Sequence, residues 1–253
     1  MNFEEILEHH LLDHRINTWM VGPVNMGLTQ HVVILWIAAA ITLTLMSFAA
    51  RSASRPALVL RYGVESVVLY IRDTMLHPIF HEATDTYLPY FLTLFFFLLT
   101  ANLFGLVPYS ASVTGNISVT AAMAFCTFML VNFAGVKEQG PVEYVKHIAP
   151  GGLPFWLVPL IFAIECLGLV AKCVALCIRL FANMIAGHVV SLAFLSLIFI
   201  FAMTSKIVGL AVAPAAVGLA LFVYTLDVLV SLLQAYIFTI LTALFVGAAV
   251  HPH

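Results

Sequence analysis

Ionisable and amide side chains sit where this chain is otherwise almost purely apolar. One long apolar stretch, reaching Ala202, holds Glu165, Lys172, Arg179, Asn183 and His188, and a second, Ile207 to Val250, holds Tyr224, Asp227, Ser231 and Gln234. A charged side chain at the centre of a bilayer costs about 2.5–3.5 kcal/mol on insertion scales, so such residues mark an ion path or charge relay unless they pair as structural glue. Arg179 has at least a dozen residues on either side before any expected helix end, too far for its head to snorkel to the surface.

Spacing sharpens the chemistry. Glu165, Lys172 and Arg179 are separated by sevens, which keeps them on one helix face with only about 20° of drift per step. Asp227 and Gln234 repeat that spacing on the second stretch. If the two stretches fold back near Thr204 to Val208, facing residues have numbers that sum to a constant. Arg179 with Gln234 gives 413 and His188 with Asp227 gives 415, so one fold-back places the amide beside the arginine and an acid beside the histidine. His188 follows Arg179 by nine residues, about half a turn round a straight helix, so the two face different surfaces unless the helix bends. A histidine–carboxylate pair suits proton hopping, because the imidazole titrates near neutral pH. Arginine suits the opposite role. Permanently charged, it orders or blocks proton movement without carrying protons. A fixed cation between two titratable clusters, Glu165 on one side and His188 with Asp227 on the other, is what a path in two separated halves requires.

The elements that position these groups follow from hydropathy. The chain has 253 residues, 63% hydrophobic and 9% charged, against about 25% charged in soluble domains. Mean hydropathy is +1.08. Such a composition predicts an all-α integral membrane protein with five to six membrane helices, forming one membrane domain. Residues 1–30 form an external N-terminal segment, without the basic start of a cleavable signal. Residues 31–50 form a first span. Residues 57–80, where Arg61, Glu65, Arg72 and Asp73 interrupt apolar residues, form an amphipathic helix lying on the membrane surface or packed on other protein. Residues 89–136 form a helical hairpin and 154–250 a long one, whose helices far exceed the roughly 20 residues a span needs and must tilt, bend or partly leave the bilayer. Arg51, Arg55 and Arg61 in one loop, and Lys137 and Lys146 in another, put both loops inside and the N-terminus outside.

Other constellations carry less. Cys173 and Cys177 share a helix face at i, i+4, but no second ligand pair accompanies them, and small packing residues are the simpler account. His9, His10 and His14 have metal-compatible spacing on a helix but belong to a polar segment. A bis-histidine haem needs ligands on facing helices, and His188 alone lies deep in a long apolar run. A net charge of -2 with no basic block excludes nucleic-acid binding. Neither cofactor nor metal is expected.

The segment Arg179-Leu180-Phe181-Ala182-Asn183-Met184-Ile185-Ala186-Gly187-His188 resembles the signature of subunit a of F-type ATP synthases. Gln234-Ala235-Tyr236-Ile237-Phe238 resembles the final-helix motif, and TANLFGLVP around Asn102 and TGNISVT at Thr114 to Thr120 match further family patterns. The resemblance covers essentially the whole chain. It implies a stator subunit, not catalytic by itself, standing beside a rotating ring of c subunits and held by peripheral-stalk b subunits in membrane lipid. Protons are the implied cargo, and a bacterial inner membrane the implied setting, with the mitochondrial inner membrane as alternative. It further implies that Arg179 meets the ring carboxylate, that Gln234 is its neighbour, and that Asn102, Asn183, His188, Asp227 and Ser231 line the proton path with Glu165 on the exit side. Many bacterial members have Glu at the position of His188 and His at that of Asp227; here the pair is exchanged, keeping one imidazole and one acid. Ala182 stands where a glycine is frequent. A secondary ion-coupled transporter is one rival, expected to show a repeat and helices broken at midplane. A respiratory-complex membrane subunit is the other.

Overall fold

The computed structural model describes residues 15–21, 24–51, 55–107, 113–148 and 157–250. His9, His10 and His14, with the rest of the external segment before Arg15, and Gly151, Gly152 and Pro154 lie outside the described residues.

With no water to satisfy backbone groups inside a bilayer, so apolar a chain must fold into helices that bond internally. The helices are α1 (Gln30–Arg51), α2 (Arg55–Leu69), α3 (His77–Phe80), α4 (Thr84–Gly105), α5 (Ile117–Gln139), α6 (Pro141–Ile148), α7 (Val158–Thr204) and α8 (Lys206–Val250). Among the described residues, five helical stretches are long and apolar enough to cross a membrane: His31–Phe48, Arg61–Gly105, Ile117–Gln139, Val158–Met203 and Lys206–Val250. The chain is an all-α membrane protein, with one addition that composition did not signal. Strands β1 (Arg15–Val21) and β2 (Val24–Thr29) form a short antiparallel ribbon just before α1.

The segment expected as one helix at 57–80 is a composite. After α2 a π-helical segment, Tyr70–Leu76, widens the spiral and passes into the four-residue α3. Ile71, Met75 and Leu76 are buried while Arg72 and Asp73 are exposed, so the apolar and charged faces segregate. His81 then adopts φ 47°, rare for a residue with a Cβ, and ends the run before α4 begins at Thr84. Helix α4 starts five residues earlier than Pro89, because that proline sits within its first turns. Pro214 likewise lies inside α8 without ending it.

The chain divides into two compact units: Met1–Leu43, Phe97–Asn116 and Leu180–Ala235, and Thr44–Phe96, Ile117–Arg179 and Tyr236–His253. In the second unit aromatic packing seats α3 on the start of α4: Phe80 stacks on Tyr87 at 4.7 Å and meets Phe91 at 5.7 Å. Both cysteines of the i, i+4 pair pack against α5. The Cys173 thiol donates to the Ala124 carbonyl at 3.2 Å, and Cys177 Sγ lies 3.4 Å from Thr120 Oγ1. Tyr144 docks α6 on α5, donating to Asn132 Oδ1 at 3.1 Å, and burial pushes its phenol above the usual ionisation range. Gln139 donates to the Ala249 carbonyl, satisfying one orphan acceptor at the end of α8.

The first unit contains the fold-back assumed in pairing the two polar rows. Ser205 is the lone non-helical residue between α7 and α8, within the expected turn. A Cβ added at Gly209 would lie 2.7 Å from the Ala202 backbone, so the close approach of the two helices needs glycine there. Helices of 47 and 45 residues are about 70 Å long, more than twice the hydrocarbon thickness.

Candidate functional site

Within the first unit, the middle of α7, the middle of α8 and the end of α4 enclose a cleft of about 330 Å³, counted to its open mouth. Six polar residues named from the sequence line it: Asn102 from α4, Asn183 and His188 from α7, and Asp227, Ser231 and Gln234 from α8. The helical repeat explains the convergence. Leu180, Asn183, Met184, Gly187 and His188 recur at three- and four-residue steps along one stripe of α7, and Asp227, Val230, Ser231 and Gln234 do the same on α8. Apolar Leu106, Leu180, Met184 and Val230 complete the lining, so polar groups sit in a dry-walled slot.

Hydrogen bonds fix part of this arrangement. Asn183 Nδ2 donates to Gln234 Oε1 at 2.7 Å, and Asn102 Nδ2 donates to the Ser231 carbonyl at 3.3 Å. Gln234 is 4% exposed, and its Nε2 has no hydrogen-bond partner among the described residues. A buried donor left in that state costs roughly 1–3 kcal/mol, which marks a group kept for something other than stability.

The register differs slightly from expectation. Gln234 meets Asn183, which follows Arg179 by four residues in sequence. Heptad arithmetic ignored the reach of the two amides, which span the gap diagonally. Asp227 is found where expected, level with the Gly187–His188 step: a Cβ added at Gly187 would lie 2.6 Å from both Asp227 carboxylate oxygens. This is the site residue that sequence reasoning passed over, although a glycine between bulky residues on the lining stripe was its signal. Gly187→Ala should push the Asp227 carboxylate out of its seat, since a short side chain yields more easily than two packed helices. The expected outcome is a chain that inserts and folds normally while Asp227 becomes severalfold more reactive toward a carboxylate-modifying carbodiimide, read as the rate of labelling at that residue.

Arg179 and Glu165 stand outside the cleft lining. Arg179 is half-buried on α7, one turn before Asn183, and its Nη1 is buried with no hydrogen-bond partner among the described residues. Glu165 and Lys172, the other members of the heptad row, are exposed, and the Lys172 ammonium sits 5.4 Å from the Phe245 ring centroid. Among the described residues, no cluster of three or more His, Cys, Asp or Glu offers a metal site.

Residues 32–247 match the family model for the ATP synthase A chain. The chain is 40% identical over 236 residues to ATP synthase subunit a of Chloroherpeton thalassium, covering 91% of this chain and 68% of that one. It is 41% identical over 249 residues to the subunit a of Anaeromyxobacter sp. strain Fw109-5, covering 96% and 60%, and 39% identical over 243 residues to that of Myxococcus xanthus, covering 92% and 77%. A family-model match over residues 32–247, most of the chain, shows that this multi-pass membrane protein belongs to the ATP synthase A chain family, that of subunit a.

Proposed function

We propose that this chain is the stationary membrane subunit of a rotary ATP synthase, non-catalytic alone, which couples proton flow to rotation of a ring of c subunits. Two half-channels admit and release protons. His188 and Asp227, with Asn102, Asn183 and Ser231, form the entry path, and Glu165 lies on the exit side. Arg179, with Gln234, meets each ring carboxylate and separates the two halves. Peripheral-stalk b subunits hold the chain in a bacterial inner membrane, its N-terminus outside.

The observation that carries this reading is the cleft in which an imidazole, a carboxylate, three amides and a hydroxyl-bearing residue converge between two long apolar helices. An imidazole and an acid lining one narrow slot can exchange protons through water, and the amides hold that water without competing for charge. Family membership favours this over an ion-coupled transporter or a respiratory-complex subunit. Vesicles holding the whole complex should acidify on addition of ATP, and vesicles lacking only this chain should not. Purification of the chain without a ring of small hairpin subunits, combined with transport by the chain alone, would overturn the proposal.

A further inference from the structure

Hydroxyl side chains in these helices mostly turn back on their own backbone. Thr42 donates to the Ala38 carbonyl at 2.8 Å, Ser196 to Ala193 at 2.8 Å, Thr225 to Leu221 at 3.0 Å and Thr242 to Phe238 at 2.8 Å. That habit is how a serine or threonine lives cheaply in an apolar helix. Ser191 departs from it, as does Thr127 on α5, which lies in the other unit and does not line the cleft. Ser191 is 4% exposed, yet its Oγ has no hydrogen-bond partner among the described residues, not even the carbonyl one turn back. Alanine at that position would carry no such burden.

Position explains what the hydroxyl is for. Ser191 lies four residues beyond Gly187 and three beyond His188, so it continues the α7 stripe that lines the cleft by one turn. On α8, Tyr224 lies three residues before Asp227, half-buried and on the same side of the helix. The register bracketed by the Gly187–Asp227 and Ala202–Gly209 approaches brings the turn of α8 carrying Tyr224 opposite Ser191. Two hydroxyls, outside the signature motifs, thus sit one turn nearer Ser205 than the imidazole and acid.

We propose that Ser191 and Tyr224 extend the proton path one turn beyond His188 and Asp227, as positioning residues for a water that feeds the pair. The inference rests on the proton-path reading above and deepens it. A buried water needs two to four polar partners, and Ser191, Tyr224 and Asp227 can supply three. That water accepts a proton from the Ser205 side and releases one of its own to the pair, so both hydroxyls end neutral.

The decisive comparison is Ser191→Thr against Ser191→Val, two side chains of one shape that differ by the hydroxyl. In vesicles with the assembled complex, Ser191→Thr should pump near the parental rate and Ser191→Val about five- to tenfold more slowly, the effect of losing one hydrogen bond in the rate-limiting path. Equal rates for the two variants overturn the proposal. His188→Ala run alongside separates the failures. If it is slow while Thr and Val behave alike, only the extension is wrong; if it too pumps at the parental rate, the path reading fails and the extension with it. Where Ser191→Val does not assemble, Tyr224→Phe decides, because it deletes a single oxygen: severalfold slowing supports the proposal and a parental rate overturns it.

Discussion

Replacing Arg179 with alanine should abolish both ATP synthesis and ATP-driven pumping while leaving the complex assembled. The guanidinium is a permanent cation on an apolar helix, one turn before the Asn183–Gln234 amide pair. A carboxylate that comes within a few ångströms of it has its pKa lowered by about 1–3 units, or roughly 1.4–4 kcal/mol in favour of the ionised form. A ring carboxylate would therefore stay ionised only while it faces this helix and would need a proton before turning into lipid. Each step then carries one proton. Without the cation, carboxylates pass still protonated and the two half-channels short-circuit, so the variant should also leak protons passively. The fold should survive, because no carboxylate pairs with Arg179 among the described residues and its removal strands no buried acid. Arg179→Lys should rescue synthesis poorly: an ammonium lacks the planar fork and loses its proton more readily when buried. Proton flux and ATP synthesis measured in the same vesicles test this, and normal coupled synthesis by Arg179→Ala would return the residue to the role of structural glue.

The sequence carried most of this because the bilayer leaves polar groups few places to go. Hydropathy alone marked the chain as an all-α membrane protein, and the seven-residue spacing of Asp227 and Gln234 put both on the face that now lines the cleft. The turn between the long helices was legible as well, since any fold-back near Ser205 pairs the two polar rows. What escaped was set by local geometry with no compositional signature. The π-helical segment at Tyr70–Leu76 shifts register inside a run that reads as one amphipathic helix, and the β1–β2 ribbon sits in a segment whose apolar pattern is too short to announce strands. The contact of Gln234 with Asn183 arose because amide side chains reach diagonally, which residue counting cannot see. Gly187 was passed over for a similar reason: its contribution is the absence of a side chain where the Asp227 carboxylate packs.

That packing shapes the expectation for the acid–imidazole pair. His188→Ala should slow ATP-driven pumping by about 10²-fold, the lower range for losing a positioned proton-transfer group. The residue is half-buried and lines the open cleft, so truncation enlarges the slot without collapsing the helix pair. Exchanging the pair, His188→Asp with Asp227→His, keeps one imidazole and one acid between the same helices and should recover part of the rate. Recovery should stay incomplete, because position 227 faces Gly187 across a gap already filled by a carboxylate and an imidazole there must tilt away. Adding Gly187→Ala to the exchange should erase the gain, since it closes the remaining space on that side. The comparison is acidification rate per assembled complex across the four variants: the single change, the exchange, Gly187→Ala and the triple. If His188→Ala pumps at the parental rate, the pair is structural and the path through this cleft is wrong; if the exchange recovers nothing, the two groups do not act as one relay.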